Sequence, residues 1–257
     1  MTHKYPRSAK VVIIGGGVIG CSVAYHLTKY GWKDVVLLER DQLTSGTTWH
    51  AAGLVSQLGP SAAVTKIRKY TLDLYKNLEK EVDHSAGLRL NGALSIAQTN
   101  SRWQELKRQA TTAQLYNVDL RILDKEEIKK RYPMMSYEDL KGGVLMPGDG
   151  SADPSGVTHM LAKGAKKGGA QIYEHSSVET ILTKNGRVHG VRVNGQNIEC
   201  EFVVLATGMW SRQIGEEIGV SIPLYPAEHF YVITEPIENL SPTLPVIRDF
   251  DSSVYFK

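Results

Sequence analysis

The residues Val11 to Ile14 form an unbroken β-branched run near the start of the chain. A strand buried on both faces reads this way, so a central strand is predicted there. Glycines follow, and then "VIGCSVAYHLTKYG", where Ala24, Leu27 and Tyr30 recur at helical spacing and Gly31 marks the end. Val35 to Leu38 repeat the strand pattern. Strand, glycine turn, helix and strand make a unit of mononucleotide-binding type.

Beyond Ser61 the pattern turns helical, with Val64, Ile67, Leu74, Leu78 and Val82 on one face and Lys and Glu on the other. "GLRLNGALSIAQT" reads as strand and "SRWQELKRQATTAQL" as helix, with Ser101 as its N-cap. "KEEIKKRYP" is a short helix stopped by Pro133. "LKGGVLMPGDGSADPSG" is strand and glycine-rich turn, and Asp153 then caps a helix whose first residue is Pro154. Short strands follow, turned by Asn185-Gly186 and Asn194-Gly195, and lead into the buried strand "EFVVLATG". The end, "AEHFYVITEPIENLSPTLPVIRDFDSSVYFK", reads as strand and proline-bearing turn.

These elements predict an α/β fold: a Rossmann-like dinucleotide-binding domain with an antiparallel-sheet substrate domain threaded through it. The expected parts are 8–84 and 151–220 for the first domain, and 85–150 and 221–257 for the second. The chain stops inside an apparent strand, so a fragment of a longer protein is expected.

Composition narrows the class. Of 257 residues, 42% are hydrophobic and 22% charged, an ordinary globular balance. The net charge of +3 is spread without a basic run, so no nucleic-acid partner is expected. No run resembles a signal peptide or a membrane span, so no membrane association is expected either. Cys21 and Cys200 lie far apart, outside any metal spacing, and read as free thiols of a reducing compartment. The expected location is the cytoplasm, or the mitochondrial matrix if a leader has been removed.

Gly15, Gly17 and Gly20, with Val18 and Ile19 between them, fit a dinucleotide-binding turn. Gly15 permits the sharp exit from the strand, Gly17 the approach of a pyrophosphate, and Gly20 close packing of helix on strand. The helix N-terminus offers N–H groups and partial positive charge to the phosphates. Glu39 ends the second strand, where an acid accepts hydrogen bonds from the adenosine ribose. Arg40 beside it reads equally as a solvated strand-end charge. "FVVLATGMWS" is expected to run beside the first strand, with Ala206 and Gly208 leaving room at the cofactor crevice. A hydroxyl-rich loop directly after Glu39, then an inserted sheet, favours a flavin over a nicotinamide cofactor. A nicotinamide-dependent dehydrogenase is the alternative from another class.

The stretches "VVIIGGGVIGCSVAYHL", "VLLERDQLTSGTTWHAAGL", "PGDGSADP", "VLATGMWSRQIGE" and "EHFYVITEPIE…LPVIRDFDSSVY" together resemble the glycine-oxidase/D-amino-acid-oxidase superfamily of FAD-dependent oxidoreductases, whose fold is of glutathione-reductase type. Within it they resemble the sarcosine and dimethylglycine dehydrogenase group, from about Lys10 to the last residue. The resemblance implies FAD bonded covalently through its 8α carbon to His50, with Trp49, Ala51 and Ala52 as an apolar setting. It implies that Gly46, Thr47 and Thr48 hold the flavin or pyrophosphate, with Gly53 and Leu54 following, that Val178 presents backbone to the adenine, and that Trp210 lies near the cofactor. Regulatory subunits on this scaffold depart from the Trp-His pair.

The implied reaction is oxidation of an N-methyl amino acid by hydride transfer from the N-methyl carbon to the flavin; the imine then either hydrolyses to formaldehyde or passes its carbon to a folate acceptor, and an electron-transfer partner is a further expectation. Catalytic candidates are His229 and Tyr231, expected on one face of a strand, and Arg248, which either holds a substrate carboxylate or pairs with Asp249 or Asp251. His3, His84, His159, His175 and His189 form no constellation.

Overall fold

The computed structural model describes residues 4–257, so His3 lies outside the described residues. In chain order, β1 (Ser8–Ile14), α1 (Val18–Lys29) and β2 (Val35–Leu38) come first. β3 (Leu54–Val55), α2 (Ala62–Val82), β4 (Ala93–Ala97), α3 (Asn100–Leu115), β5 (Arg121–Leu123), α4 (Lys125–Arg131), β6 (Gly142–Met146) and β7 (Gly150–Ser151) follow. Then come α5 (Pro154–Lys167), β8 (Gln171–Tyr173), β9 (Val178–Lys184), β10 (Arg187–Val193), β11 (Gln196–Leu205), α6 (Ser211–Glu217), β12 (Val246–Asp249) and β13 (Val254–Phe256).

The chain packs as two compact units. Of the described residues, the first comprises 4–51, 78–86 and 154–231, and the second 52–77, 87–153 and 232–257. Residues 52–77, expected with the nucleotide domain, therefore pack in the second unit. The cause is local: Leu54 and Val55 pair antiparallel with Ser151 and Gly150, which draws the chain out of the first unit immediately after Ala51.

The first unit is built on a six-stranded sheet in the order β8-β2-β1-β11-β10-β9. β8, β2, β1 and β11 run parallel, and β11, β10 and β9 form an antiparallel meander. Val12 and Ile14 of β1 and Val36 and Leu38 of β2 join one apolar cluster with Ile198 and Val191. Val11 and Ile13 point to the opposite face and are equally buried, which is why this strand reads as an unbroken apolar run. Both meander turns follow the sequence reading: Asn185 and Gly186, and Asn194 and Gly195, all have positive φ, as a two-residue hairpin turn requires.

α1 buries a different stripe from the one expected. Gly20, Cys21, Ala24, Tyr25 and Thr28 are inward, while Tyr30 is 73% exposed. The small residues let α1 approach its neighbours, and Gly164 of α5 faces Tyr25, where an added Cβ would lie 2.8 Å from the ring.

The second unit carries a five-stranded sheet in the order β13-β12-β4-β6-β5, antiparallel except where β12 runs beside β4. Leu94, Ile96, Leu123, Ile128, Leu145 and Ile247 form its core. Thr99, not Ser101, caps α3, accepting the Arg102 N–H at 3.2 Å. On α2, Ile67 is exposed, and Thr65 is buried with its hydroxyl on the backbone of Gly59 and Ser61.

The segment 227–233, expected as a strand, is not one. None of the described strands pairs with it, and a strand without a partner leaves its backbone groups unbonded. Phe230, Val232 and Ile233 are accordingly exposed.

Candidate functional site

In the first unit, β1 sits between β2 and β11, so the chain leaves β1 toward one side and returns on the other. In open parallel sheets a ligand binds at the strand C-termini beside such a switch point. Here those ends are Ile14 and Leu205, opposite each other in register, and the next residue, Ala206, donates its N–H to the Ile14 carbonyl at 2.9 Å.

The glycine turn is packed backbone to backbone. Gly15 has φ +111°, and a Cβ there would lie 2.4 Å from the Ala206 carbonyl oxygen. A Cβ on Gly20 would lie 1.9 Å from the Gly15 carbonyl oxygen. Gly17, which precedes α1, carries no side chain that could cap the helix. A fourth glycine that sequence reasoning left without a role, Gly16, is equally constrained: its Cβ would meet Leu43 at 2.6 Å and Glu39 at 2.9 Å. Such a turn presents bare backbone at a helix N-terminus, the arrangement that accepts a pyrophosphate.

Glu39 is buried, with one carboxylate oxygen accepting from Gly16 N–H at 2.6 Å and the other from Asp41 N–H at 2.9 Å. It thus ties the end of β2 to the glycine turn. Glu174, unremarked in the sequence, accepts the Leu43 N–H at 2.8 Å and holds the next part of the loop. Arg40 is exposed and pairs with Asp41 at 3.2 Å. Its guanidinium also lies 4.1 Å from the centre of the Trp210 ring, so Trp210 covers the loop through Arg40 and Gly46.

Residues 48–50, Thr-Trp-His, form one turn of 3₁₀ helix. Thr48 is buried, and its Oγ1 accepts the Val18 N–H at 3.0 Å. The hydroxyl expected to hold the cofactor therefore binds the first residue of α1, and in doing so fixes the turn against the helix N-terminus. Thr47 is exposed, and its hydroxyl would lie 3.7 Å from a Cβ on Gly208. His50 is exposed rather than set in the apolar surroundings expected from Trp49, Ala51 and Ala52. Ala51 is itself exposed, and the apolar cover is one-sided: the Trp49 and His50 ring centres are 3.6 Å apart at 34°. Nδ1 of His50 lies 3.3 Å from the Tyr231 hydroxyl. Nothing in the sequence signalled this pair.

The other expected residues are more scattered. Val178 is half-buried at the start of β9, paired with Val193 and packed on the sheet core. Val18 is partly covered and Ile19 is exposed. Ala206 is half-buried and Gly208 exposed on the turn after β11. His229 is exposed on the irregular segment and does not share a strand face with Tyr231.

In the second unit, the Gly53 carbonyl accepts the Ala152 N–H at 2.8 Å, the Ala52 carbonyl accepts from Lys257 Nζ, and Leu54 belongs to β3. Arg248 lies on β12 and forms no ion pair among the described residues. The expected alternative partners are engaged elsewhere: Asp251 with Arg102 at 3.4 Å, and Asp249 with the N–H groups of Asp251 and Ser252. Burial lowers the Arg248 guanidinium below its ordinary range, with Asp149 opposing that shift. Asp149 itself is fully buried. One of its oxygens accepts Gln57 N–H at 2.9 Å, and the other has no hydrogen-bond partner among the described residues. Burial raises its carboxyl above the ordinary range. A cavity of about 450 Å³ in this unit, bordered by Asn91, Lys130 and Leu244, contains none of the expected site residues.

Residues 10–257 match the family model described as FAD dependent oxidoreductase. The chain belongs to this family. Its cofactor is therefore FAD, and the nicotinamide alternative is set aside. The tight glycine turn, the helix start without a side-chain cap and the small residues after β11 suit that dinucleotide. Among known members, the mitochondrial sarcosine dehydrogenase of Homo sapiens is 40% identical over 258 residues, covering 98% of this chain and 28% of that protein. The mitochondrial pyruvate dehydrogenase phosphatase regulatory subunit of Mus musculus is 37% identical over 255 residues, covering 98% and 29%. The chain thus spans under a third of the length of these relatives. Among solved structures, L-proline dehydrogenase from P. horikoshii superposes with a TM-score of 0.89 at 28% identity, over 98% of this chain and 67% of that one. Among the described residues, no helix is long and apolar enough to cross a membrane, and no cluster of side chains could hold a metal ion.

Proposed function

We propose that the protein oxidises a secondary or tertiary N-methyl amino acid, passing hydride from the N-methyl carbon to FAD, and that His50 holds the FAD covalently. The observation that carries this reading is the Thr48–Val18 hydrogen bond of 3.0 Å. It anchors the Thr-Trp-His turn on the N-terminus of the dinucleotide helix and leaves His50, two residues on, open to solvent. An imidazole so presented is free to bond a group held at that helix. The names of the relatives support the substrate class: sarcosine and L-proline are both amino acids whose nitrogen carries a second carbon substituent.

FAD supplies the hydride acceptor; the protein binds and orients. The glycine turn, Glu39, Thr47, Trp210 and Val178 are proposed to hold the dinucleotide. Arg248, with no ion pair among the described residues, is proposed to take the substrate carboxylate. His229 and Tyr231 are proposed to serve the amine. A folate acceptor, an electron-transfer partner and a location in the cytoplasm or mitochondrial matrix complete the proposal.

The test is anaerobic addition of sarcosine, dimethylglycine or glycine to the flavin-loaded protein. Bleaching of the flavin band by an N-methyl substrate, with glycine inert, supports the reading. No bleaching by any of them favours a second reading, a noncatalytic FAD-binding regulatory subunit, to which the 37% identity with such a subunit gives a specific footing. Acid precipitation tests the bond to His50, because free colour in the supernatant means it is absent.

A further inference from the structure

We infer that Tyr231 is a positioning residue that sets which nitrogen of His50 bonds the flavin. This rests on the covalent reading above and deepens it. An exposed imidazole on a short turn has two tautomers and freedom to rotate, and neither helps it meet an electrophilic carbon. Two aromatic neighbours restrict it. The Trp49 indole lies across one face at 3.6 Å between ring centres, and the Tyr231 ring meets it edge-on at 6.4 Å and 61°.

The Tyr231 oxygen stands 3.3 Å from Nδ1 and so covers that nitrogen. A bond to carbon forms at the uncovered one, Nε2. For Nε2 to offer its lone pair, the single proton of the neutral ring sits on Nδ1, and the Tyr231 oxygen accepts it. With its oxygen accepting that proton, the phenol holds the Nδ1-protonated tautomer, whose Nε2 lone pair faces away from it.

In the bonding step, Nε2 supplies the electron pair of the new N–C bond to the 8α carbon of the flavin. That carbon gives up one hydrogen as a proton, and the imidazole gives up its Nδ1 proton. Two electrons pass to the flavin ring and from there to dioxygen. Summed, two protons and two electrons leave as hydrogen peroxide, and the flavin returns to its oxidised state.

The experiment follows acid-stable flavin with time after FAD is added in air to flavin-free protein, for wild type, Tyr231→Phe and Phe230→Ala. Tyr231→Phe is expected to slow attachment about tenfold, as loss of orientation at a bonding atom does, while reversible FAD binding is unchanged. Phe230→Ala, on the same exposed segment, is expected to match wild type. The bonded histidine released by proteolysis is expected to be linked through Nε2. ¹⁵N NMR of wild-type flavin-free protein is expected to show the His50 proton on Nδ1, a readout that needs neither flavin nor a folded variant. Attachment at the wild-type rate in Tyr231→Phe, linkage through Nδ1, or a proton on Nε2 overturns the inference and leaves the covalent reading standing. Wild-type protein that never gains acid-stable flavin overturns both.

Discussion

The Glu39 carboxylate accepts the Gly16 N–H at 2.6 Å, binding the end of the second strand to the turn that follows the first. The same carboxylate accepts from Asp41, so a single buried side chain holds both sides of the cofactor loop. Removing it leaves two buried or half-buried N–H groups without an acceptor. Glu39→Ala is expected to cost about 1–3 kcal/mol of stability and to lower the flavin content of the purified protein. Urea unfolding and the ratio of flavin to protein absorbance measure the two effects.

Gly20→Ala is expected to be far more damaging than Gly46→Ala. The added Cβ would stand 1.9 Å from the Gly15 carbonyl oxygen in the first case, but 3.5 Å from the Trp210 ring in the second. The first obstruction is backbone in the turn itself, so helix and turn must separate; the second is ordinary contact. Gly20→Ala is expected to lose at least about 2 kcal/mol, in the range of overpacked cores, and to bind FAD poorly. Gly46→Ala is expected to change the melting temperature little. Melting curves with and without FAD distinguish them.

Asp149 is expected to make stability fall as pH rises. Burial holds its carboxyl above the ordinary range, so between the ordinary value and the raised one the folded state keeps a proton that the unfolded chain has lost. Where the folded state binds more protons, stability decreases with rising pH. Above that window the penalty is complete; below the ordinary carboxyl range it is absent. Asp149→Asn removes the charge, and the variant is expected to melt higher than wild type at neutral pH and to converge with it in acid. Melting temperatures from pH 3 to 8 test this, and a variant that melts lower at neutral pH contradicts it.

Both thiols are expected to be inert in the folded protein. Burial, followed by the nearby Glu39 charge, pushes Cys21 up to about 12, and burial pushes Cys200 up to about 11. The reactive species is the thiolate, which is then scarce at pH 8. A chromogenic disulfide reagent is expected to titrate neither thiol in native protein and both in denaturant, since both are free. A fast-reacting thiol in the native state would contradict the packing around α1 or β11.

Much of the fold was legible because its signals are local. Val11 to Ile14 and Val35 to Leu38 are apolar on both faces and become the central parallel strands. Asn185-Gly186 and Asn194-Gly195 supply the positive φ that their turns need. Where several neighbours compete, local reading slipped: Thr99 takes the cap expected of Ser101, and the α1 stripe is rotated toward its small residues. Apolar content alone misled at 227–233, because a strand also needs a partner for its backbone.

The candidate site divides the same way. The glycine turn and Glu39 are close in sequence, and their spacing expresses the geometry of a strand, a turn and a helix. The Thr-Trp-His element was visible as a string of residues, but not the use each is put to. That Thr48 turns inward to Val18 while His50 turns outward depends on how the loop folds over α1.

By itself, then, the sequence determined the mononucleotide-type unit, its hairpin meander and membership in a flavoprotein family, because those follow from residues within a turn or a strand of one another. Only the tertiary structure decided that Tyr231 meets His50 across 181 residues, that residues 52–77 leave the first unit, and that one oxygen of Asp149 is buried without a partner among the described residues. Such pairings arise when distant segments are packed to bury apolar surface, and no spacing along the chain encodes which polar atoms that packing will bring together.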